Sequence, residues 1–216
     1  MKKSFAVIGA GRYGGSLAKS LYSMGRDVLL VDSDPDRLKR FDGWCTAAVV
    51  ADMTDEREIR ALGLGNMDVV VTAMASNLNR SILAVAIAKE EGVKSVIAKS
   101  ASHTMSSILE KVGADKTIIP EEEEGERSAR ILWSDTVLDY FRVGSNLSMV
   151  EMVPFSDWIG KSPMELNLRK NYNLNIIATK DDNGQWVLTD PGKKLEAGEK
   201  LLIVTDNKEL GNLNME

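Results

Sequence analysis

Residues 8–14 read I-G-A-G-R-Y-G, so Gly9, Gly11 and Gly14 fall in the spacing G-x-G-x-x-G. The flanking sequence gives that spacing its weight. A short apolar strand over residues 4–8 leads in, and an amphipathic helix over 12–24 follows. A second strand over residues 28–31 then runs into Asp32. Strand, turn, helix, strand and acid, in that order, are what a dinucleotide-binding unit requires. Gly9 permits the tight turn, Gly11 lets the backbone approach a pyrophosphate, and Gly14 lets the helix pack close to the strand. The helix N-terminus offers N–H groups and a partial positive charge to phosphates. Asp32 stands where a carboxylate can accept both ribose hydroxyls.

The alternation continues well beyond this unit. Apolar runs at residues 5–8, 28–31, 47–50, 69–72, 96–98 and 117–119 read as strands. Amphipathic stretches at 12–24, 35–41, 55–62, 77–91 and 103–112 read as the helices between them. Asp34 before Pro35 makes an N-cap followed by proline at the first helical position, and Gly92 and Gly113 sit where helices end. Six strands joined by helical crossovers predict an α/β fold with a doubly wound parallel sheet, Rossmann-like, over residues 1–120. Residues 121–144 then read as crossover and dimerisation helices, with residues 129–141 as one amphipathic helix carrying Trp133, Val137, Tyr140 and Phe141. That apolar surface either docks on another subunit or folds back onto its own sheet. Residues 145–216 read as a small α+β domain, with strands at 150–153, 176–179, 186–188 and 201–204 and a helix at 163–170. Asp182, Asn183 and Gly184 supply a hairpin signal. A module of about seventy residues gains core by pairing with a twin, so it is expected to dimerise.

Composition excludes several classes. A formal charge of -5 argues against general nucleic-acid binding. A single cysteine, Cys45, excludes an internal disulfide framework and suits a reducing compartment. No apolar run is long enough to span a bilayer, and the strand at residue 4 leaves no room for a signal peptide. A soluble, cytoplasmic protein is expected, with any membrane role exerted through a partner.

Several side chains are candidates for ligand contact. Arg12, on the glycine turn, can fork onto phosphate oxygens, or it is a solvated residue at a helix start. Lys99 ends the fifth strand on the ligand-binding edge of the sheet. Two cations over one crevice suit ADP or ATP better than a pyrophosphate diester. Asp52, Met53 and Thr54 follow the third strand and border the adenine; Asp52 accepts from the base or caps the next helix. Thr72, Ala73, Met74 and Ala75 end the fourth strand, where small residues leave room for a ligand. Asn77 or Asn79 caps the following helix or meets phosphates. Glu121 to Glu124 read first as a solvated acidic run at a helix start. Glu121 also ends a strand, where a carboxylate near phosphates calls for a bridging cation such as Mg²⁺ or Ca²⁺. His103, the sole histidine, is the natural general acid or base for a hydride-transfer enzyme, but near the start of a helix and with no obvious carboxylate partner it reads first as structural. Cys45, beside Trp44, reads as core packing. No metal-hydrolase or acyl-transfer motif occurs.

These residues resemble the RCK (regulator of potassium conductance) family, in particular its KtrA and TrkA type. The segments that carry the likeness are F-A-V-I-G-A-G-R-Y-G-G-S-L-A at 5–18, D-V-L-L-V-D at 27–32, V-A-D-M-T-D at 50–55, I-L-E-K-V-G-A-D at 108–115, I-P-E at 119–121 and L-E-A-G-E-K-L-L-I-V at 195–204. The resemblance implies a regulatory gating subunit, not an enzyme, beneath an integral-membrane potassium-transporting subunit at the inner face of the cell membrane. It implies dimers assembling into a ring, often octameric, whose shape responds to ATP, ADP or NAD(H). By position in the G-R-Y-G-G motif, Arg12 beside Tyr13 would reach the terminal phosphate of ATP, and Asp32 would hold the ribose. Glu121 would lie at a subunit contact and help bind a divalent cation. Arg169, Asn175 and Ile176 fall in the region that takes cyclic di-AMP in some members. A small NAD-dependent oxidoreductase is the alternative, since Asp32 suits a free 2′-hydroxyl. An NAD-sensing DNA-binding repressor would need a basic recognition helix that the chain lacks.

Overall fold

A computed structural model describes residues 2–181 and 183–210. The chain divides into two compact units, Met1–Glu121 and Glu122–Glu216.

In the first unit the apolar runs form six strands: β1 (Ser4–Ile8), β2 (Asp27–Asp32), β3 (Ala47–Val50), β4 (Val69–Thr72), β5 (Ser95–Lys99) and β6 (Lys116–Ile118). They pair in parallel in the order β3-β2-β1-β4-β5-β6. The connecting helices are α1 (Arg12–Ser23), α2 (Pro35–Lys39), α3 (Glu56–Ala61), α4 (Leu78–Glu90) and α5 (His103–Val112). Every residue of β4 is buried, as a strand covered on both faces must be. The strand order reverses between β1 and β4, so the crevice outside the C-terminal ends of these strands is the place where such sheets bind ligands.

Local chemistry sets the helix boundaries. Asp34 caps α2 by accepting from the Asp36 N–H, with Pro35 at its first position. Asp55 caps α3 by accepting from the Arg57 N–H. The K-V-G-A-D segment is a packing device. Gly113 turns at φ 124°, where an added Cβ would come within 3.0 Å of Lys89. Asp115 then accepts from the Val96 N–H at 2.7 Å and from Lys89 Nζ at 3.0 Å, joining the end of α5 to β5 and α4. These hydrogen bonds, the Val96 N–H foremost, hold the Asp115 carboxyl below its ordinary value.

The chain continues into α6 (Pro120–Trp133), none of whose residues is buried. The reading of 129–141 as one helix is corrected here: the helix ends at Trp133, and β7 (Val137–Val143) follows. Ser134 makes the break, its hydroxyl accepting from the Thr136 and Val137 N–H groups. The cause of the misreading is a register shift between Val137 and Asp139, which lets Val137 and Tyr140 both turn inward. A bulge inserts one residue into the period-two pattern of a strand. Two buried residues then stand three apart, the spacing of a helix face.

The second unit is an antiparallel sheet ordered β10-β9-β11-β8-β7. Its further strands are β8 (Leu147–Met152), β9 (Leu174–Lys180), β10 (Trp186–Leu188) and β11 (Leu201–Asp206). Burial alternates along β8 and β11, as expected of strands with one face on a core. The helical stretch at 163–170 is two short helices, α7 (Pro163–Leu166) and α8 (Leu168–Tyr172), parted by Asn167 in the left-handed region at φ 48°. A capping box between Ser162 and Glu165 starts α7. Trp158 anchors the core, with edge-on contacts to Phe155 at 4.8 Å and Tyr172 at 5.3 Å between ring centres. In the β9–β10 hairpin, Asp181 accepts from the Asn183 and Gln185 N–H groups. Asp182 lies outside the described residues. No helix among the described residues is long and apolar enough to cross a membrane.

Candidate functional site

The crevice at the reversal point of the parallel sheet encloses about 160 Å³. Of the residues singled out from sequence, Gly9, Gly11, Asp32, Met53, Ala73 and Met74 line it. The three glycines divide their tasks. Gly9 holds φ 107°, and a Cβ there would meet Met74 and Ala73 at 3.0–3.3 Å. A Cβ on Gly14 would stand 1.9 Å from the Gly9 carbonyl oxygen, so only glycine allows α1 to lie this close to the turn. A Cβ on Gly11 would meet nothing within 4 Å. Gly11 therefore leaves open space in the crevice, as a phosphate cradle requires. Gly15 has a structural duty of its own, since a Cβ there would penetrate the Phe41 ring.

Asp32 is 5% exposed and fixed from both sides. Its Oδ2 accepts from the Ala10 N–H at 2.7 Å and its Oδ1 from the Asp34 N–H at 2.9 Å. A carboxylate has about four acceptor positions, so the group keeps capacity for two hydroxyls. Arg37 Nη1 lies 3.8 Å from Asp32, and Arg37 Nε lies 3.4 Å from Asp34.

Other candidates lie outside the lining. Arg12 is exposed at the start of α1. Asp52 accepts from the Thr54 N–H and hydroxyl, both at 2.9 Å, and these bonds, the backbone one first, lower its pKa. It thus shapes the turn before α3, and Met53 alone of that trio reaches the crevice. Ala75 and Asn79 are not part of the lining; Asn77 is, and it caps α4 by accepting from the Arg80 N–H at 3.1 Å. Lys99 is directed elsewhere. Its Nζ donates to Glu121 at 2.5 Å and stands 5.6 Å from the Tyr13 ring centre. This contact holds the Glu121 carboxyl below its ordinary value. Among the described residues, no group of three or more acidic, histidine or cysteine side chains is gathered as a metal site. His103 begins α5, exposed and outside the crevice lining. Cys45 packs beside the small core formed by α1, α2 and β2, and burial raises its pKa.

Sequence reasoning passed over Ser33, Arg37, Ser76 and Arg80, all of which line the crevice. For Arg80 a signal existed: a cation in the first turn of a helix opposes the macrodipole, which asks for a reason.

In the second unit, Arg169, Asn175 and Ile176 line one cleft of about 320 Å³, together with Asn167, Leu174 and Pro191.

The family model for the TrkA-N domain matches residues 5–120. The chain belongs to the TrkA-N family. Ktr system potassium uptake protein C of Bacillus subtilis (strain 168) is 38% identical to it over 205 residues, 94% of this chain and 92% of that protein. Ktr system potassium uptake protein A of Vibrio alginolyticus is also 38% identical, over 97% of this chain and 96% of its own. Among solved structures, the GsuK channel bound to NAD superposes with a TM-score of 0.66 at 15% identity. That match covers 99% of this chain and 39% of the channel chain, so it speaks to the fold. The TrkA-N region coincides with the parallel-sheet unit that carries the crevice, and full-length relatives of the same size are potassium uptake proteins.

Proposed function

We propose that this TrkA-N protein is a nucleotide-sensing regulatory subunit of a potassium uptake system, working without chemical conversion of its ligand. The observation that carries the reading is the pairing of an open Gly11 face with a buried, pre-oriented Asp32 in one crevice. The backbone N–H of Gly11 faces the pyrophosphate of ATP, ADP or NAD(H), while that of Gly9 is held by the Val31 carbonyl at 2.7 Å, and Asp32 takes the ribose hydroxyls. Arg12, exposed at the rim, is free to extend toward a terminal phosphate. The chain works as a dimer assembling into a ring, eight subunits in the fullest form, against an integral-membrane potassium-transporting subunit on the cytoplasmic side. A divalent cation, Mg²⁺ or Ca²⁺, at Glu121 would have to displace Lys99 and recruit further oxygen ligands, as from a second copy. The cleft bearing Arg169, Asn175 and Ile176 takes cyclic di-AMP.

Gating then requires that one nucleotide prefer one ring shape, because equal affinity for both shifts nothing. Moving a gate from 1:99 to 99:1 takes about 5.5 kcal/mol, so eight sites need supply less than about 1 kcal/mol each. One charge-assisted contact to a terminal phosphate is enough. Titration calorimetry with ATP, ADP and NADH tests the reading, together with a nicotinamide turnover assay on alcohols and hydroxy acids. Tight binding without turnover supports it. Absence of binding by all three nucleotides, or robust turnover, overturns it.

A further inference from the structure

The two arginines of the crevice are unequally paired. Arg37 is offset by Asp32 and Asp34. Arg80 lines the same crevice from the first turn of α4. Its Nε is buried and has no hydrogen-bond partner. No acidic residue lies in that first turn, and Arg80 forms no ion pair among the described residues, although Asp52 lies near enough to feel its charge. A buried N–H left unpaired is destabilising, more so when the group is charged, and a cation at this end of a helix is disfavoured again by the dipole. Such a group is tolerable where an anion completes it. The open space beside Gly11 belongs to the same cavity.

We propose that Arg80 is the cation that holds the pyrophosphate oxygens shared by ADP, ATP and NAD(H), a role separate from any discrimination of a third phosphate by Arg12. The inference rests on the nucleotide-binding function proposed above. A guanidinium fork matches phosphate geometry, whereas an ammonium supplies charge without the fork. Calorimetry on the assembled protein with ADP, ATP and NADH at low and high salt tests it, using Arg80→Ala and Arg80→Lys. Urea midpoints without nucleotide identify variants that remain folded. The alanine variant is expected to weaken all three ligands alike, by about 10- to 100-fold at low salt, with a smaller loss at high salt. Lysine should restore part of the affinity. Unchanged affinity, a loss confined to ATP, or a salt-independent loss that lysine fails to repair would overturn the role. Wild-type protein that binds none of the three ligands would instead refute the nucleotide reading itself.

Discussion

At the scale of single residues, each glycine of the turn answers to a different neighbour. Gly14→Ala forces a Cβ to 1.9 Å from the Gly9 carbonyl oxygen, where backbone cannot yield cheaply. We expect a loss of about 3 kcal/mol, the upper end of overpacking costs, read as a shift in urea midpoint. Gly11→Ala meets nothing in the ligand-free protein. Its stability should stay within about 0.5 kcal/mol, while ADP affinity falls. A Gly11→Ala protein that binds ADP normally would remove the pyrophosphate from that space. Asp32 serves both stability and binding. Replacing it by alanine orphans the Ala10 and Asp34 N–H groups, at about 1–3 kcal/mol each where they are shielded from water. Asp32→Ala should therefore destabilise the nucleotide-free protein as well as abolish ribose recognition. Loss of affinity with an unchanged unfolding midpoint would show that these two bonds do not matter to folding. The glycine spacing and Asp32 were legible in the sequence, because their roles depend on local order along the chain. Arg80 showed in the sequence only as a cation opposing a helix dipole; that its Nε is buried without a hydrogen-bond partner is visible only in the structure.

At the scale of elements, β7 is secured to α6 by a charge pair. Arg127 Nε and Nη2 each donate to Asp139 at 2.9 Å, a two-pronged contact, and Glu124 adds a second acid. Arg127 foremost holds the Asp139 carboxyl below its ordinary value of 3.8. The sign follows from linkage: a depressed carboxylate contributes stability that is complete above its unfolded pKa and lost as pH falls through the folded one. The side chains are 37% and 23% exposed, so solvent screening keeps the pair's contribution small. Asp139→Asn should lower the unfolding midpoint at pH 7, and the gap to wild type should close as pH drops below 3.8. A gap that persists unchanged at pH 2 would mean that packing, not charge, joins these elements. The helical reading of this stretch failed because a bulge inside a strand imitates helical spacing; only the pairing partner β8 tells the two apart.

At the scale of the whole molecule, the two units have cores of their own, one around the parallel sheet and one around Trp158. A nucleotide bound only to the folded first unit stabilises it by mass action, about 2.7 kcal/mol at a hundredfold excess over Kd. Thermal unfolding with and without ADP should show that gain, and Asp32→Ala should not. Cyclic di-AMP should raise the melting temperature through the second unit, and Arg169→Ala should abolish that response while leaving the ADP response intact. Equal loss of both responses would contradict separate sites. Leu132 is 85% exposed and Trp133 54% exposed at the end of α6, so light scattering should report an assembly larger than the single chain.

The order of residues alone points to the six-stranded parallel sheet, its helices, the glycine turn and the acid after β2. Those features follow from apolar periodicity and backbone sterics, which act between near neighbours. Which side chains meet depends on the packing of distant elements. It turned Lys99 onto Glu121, fixed Asp52 in its own turn, and brought Arg80 to the crevice. Charges at these sites act through space between elements distant in the chain, and no local pattern encodes such a distance.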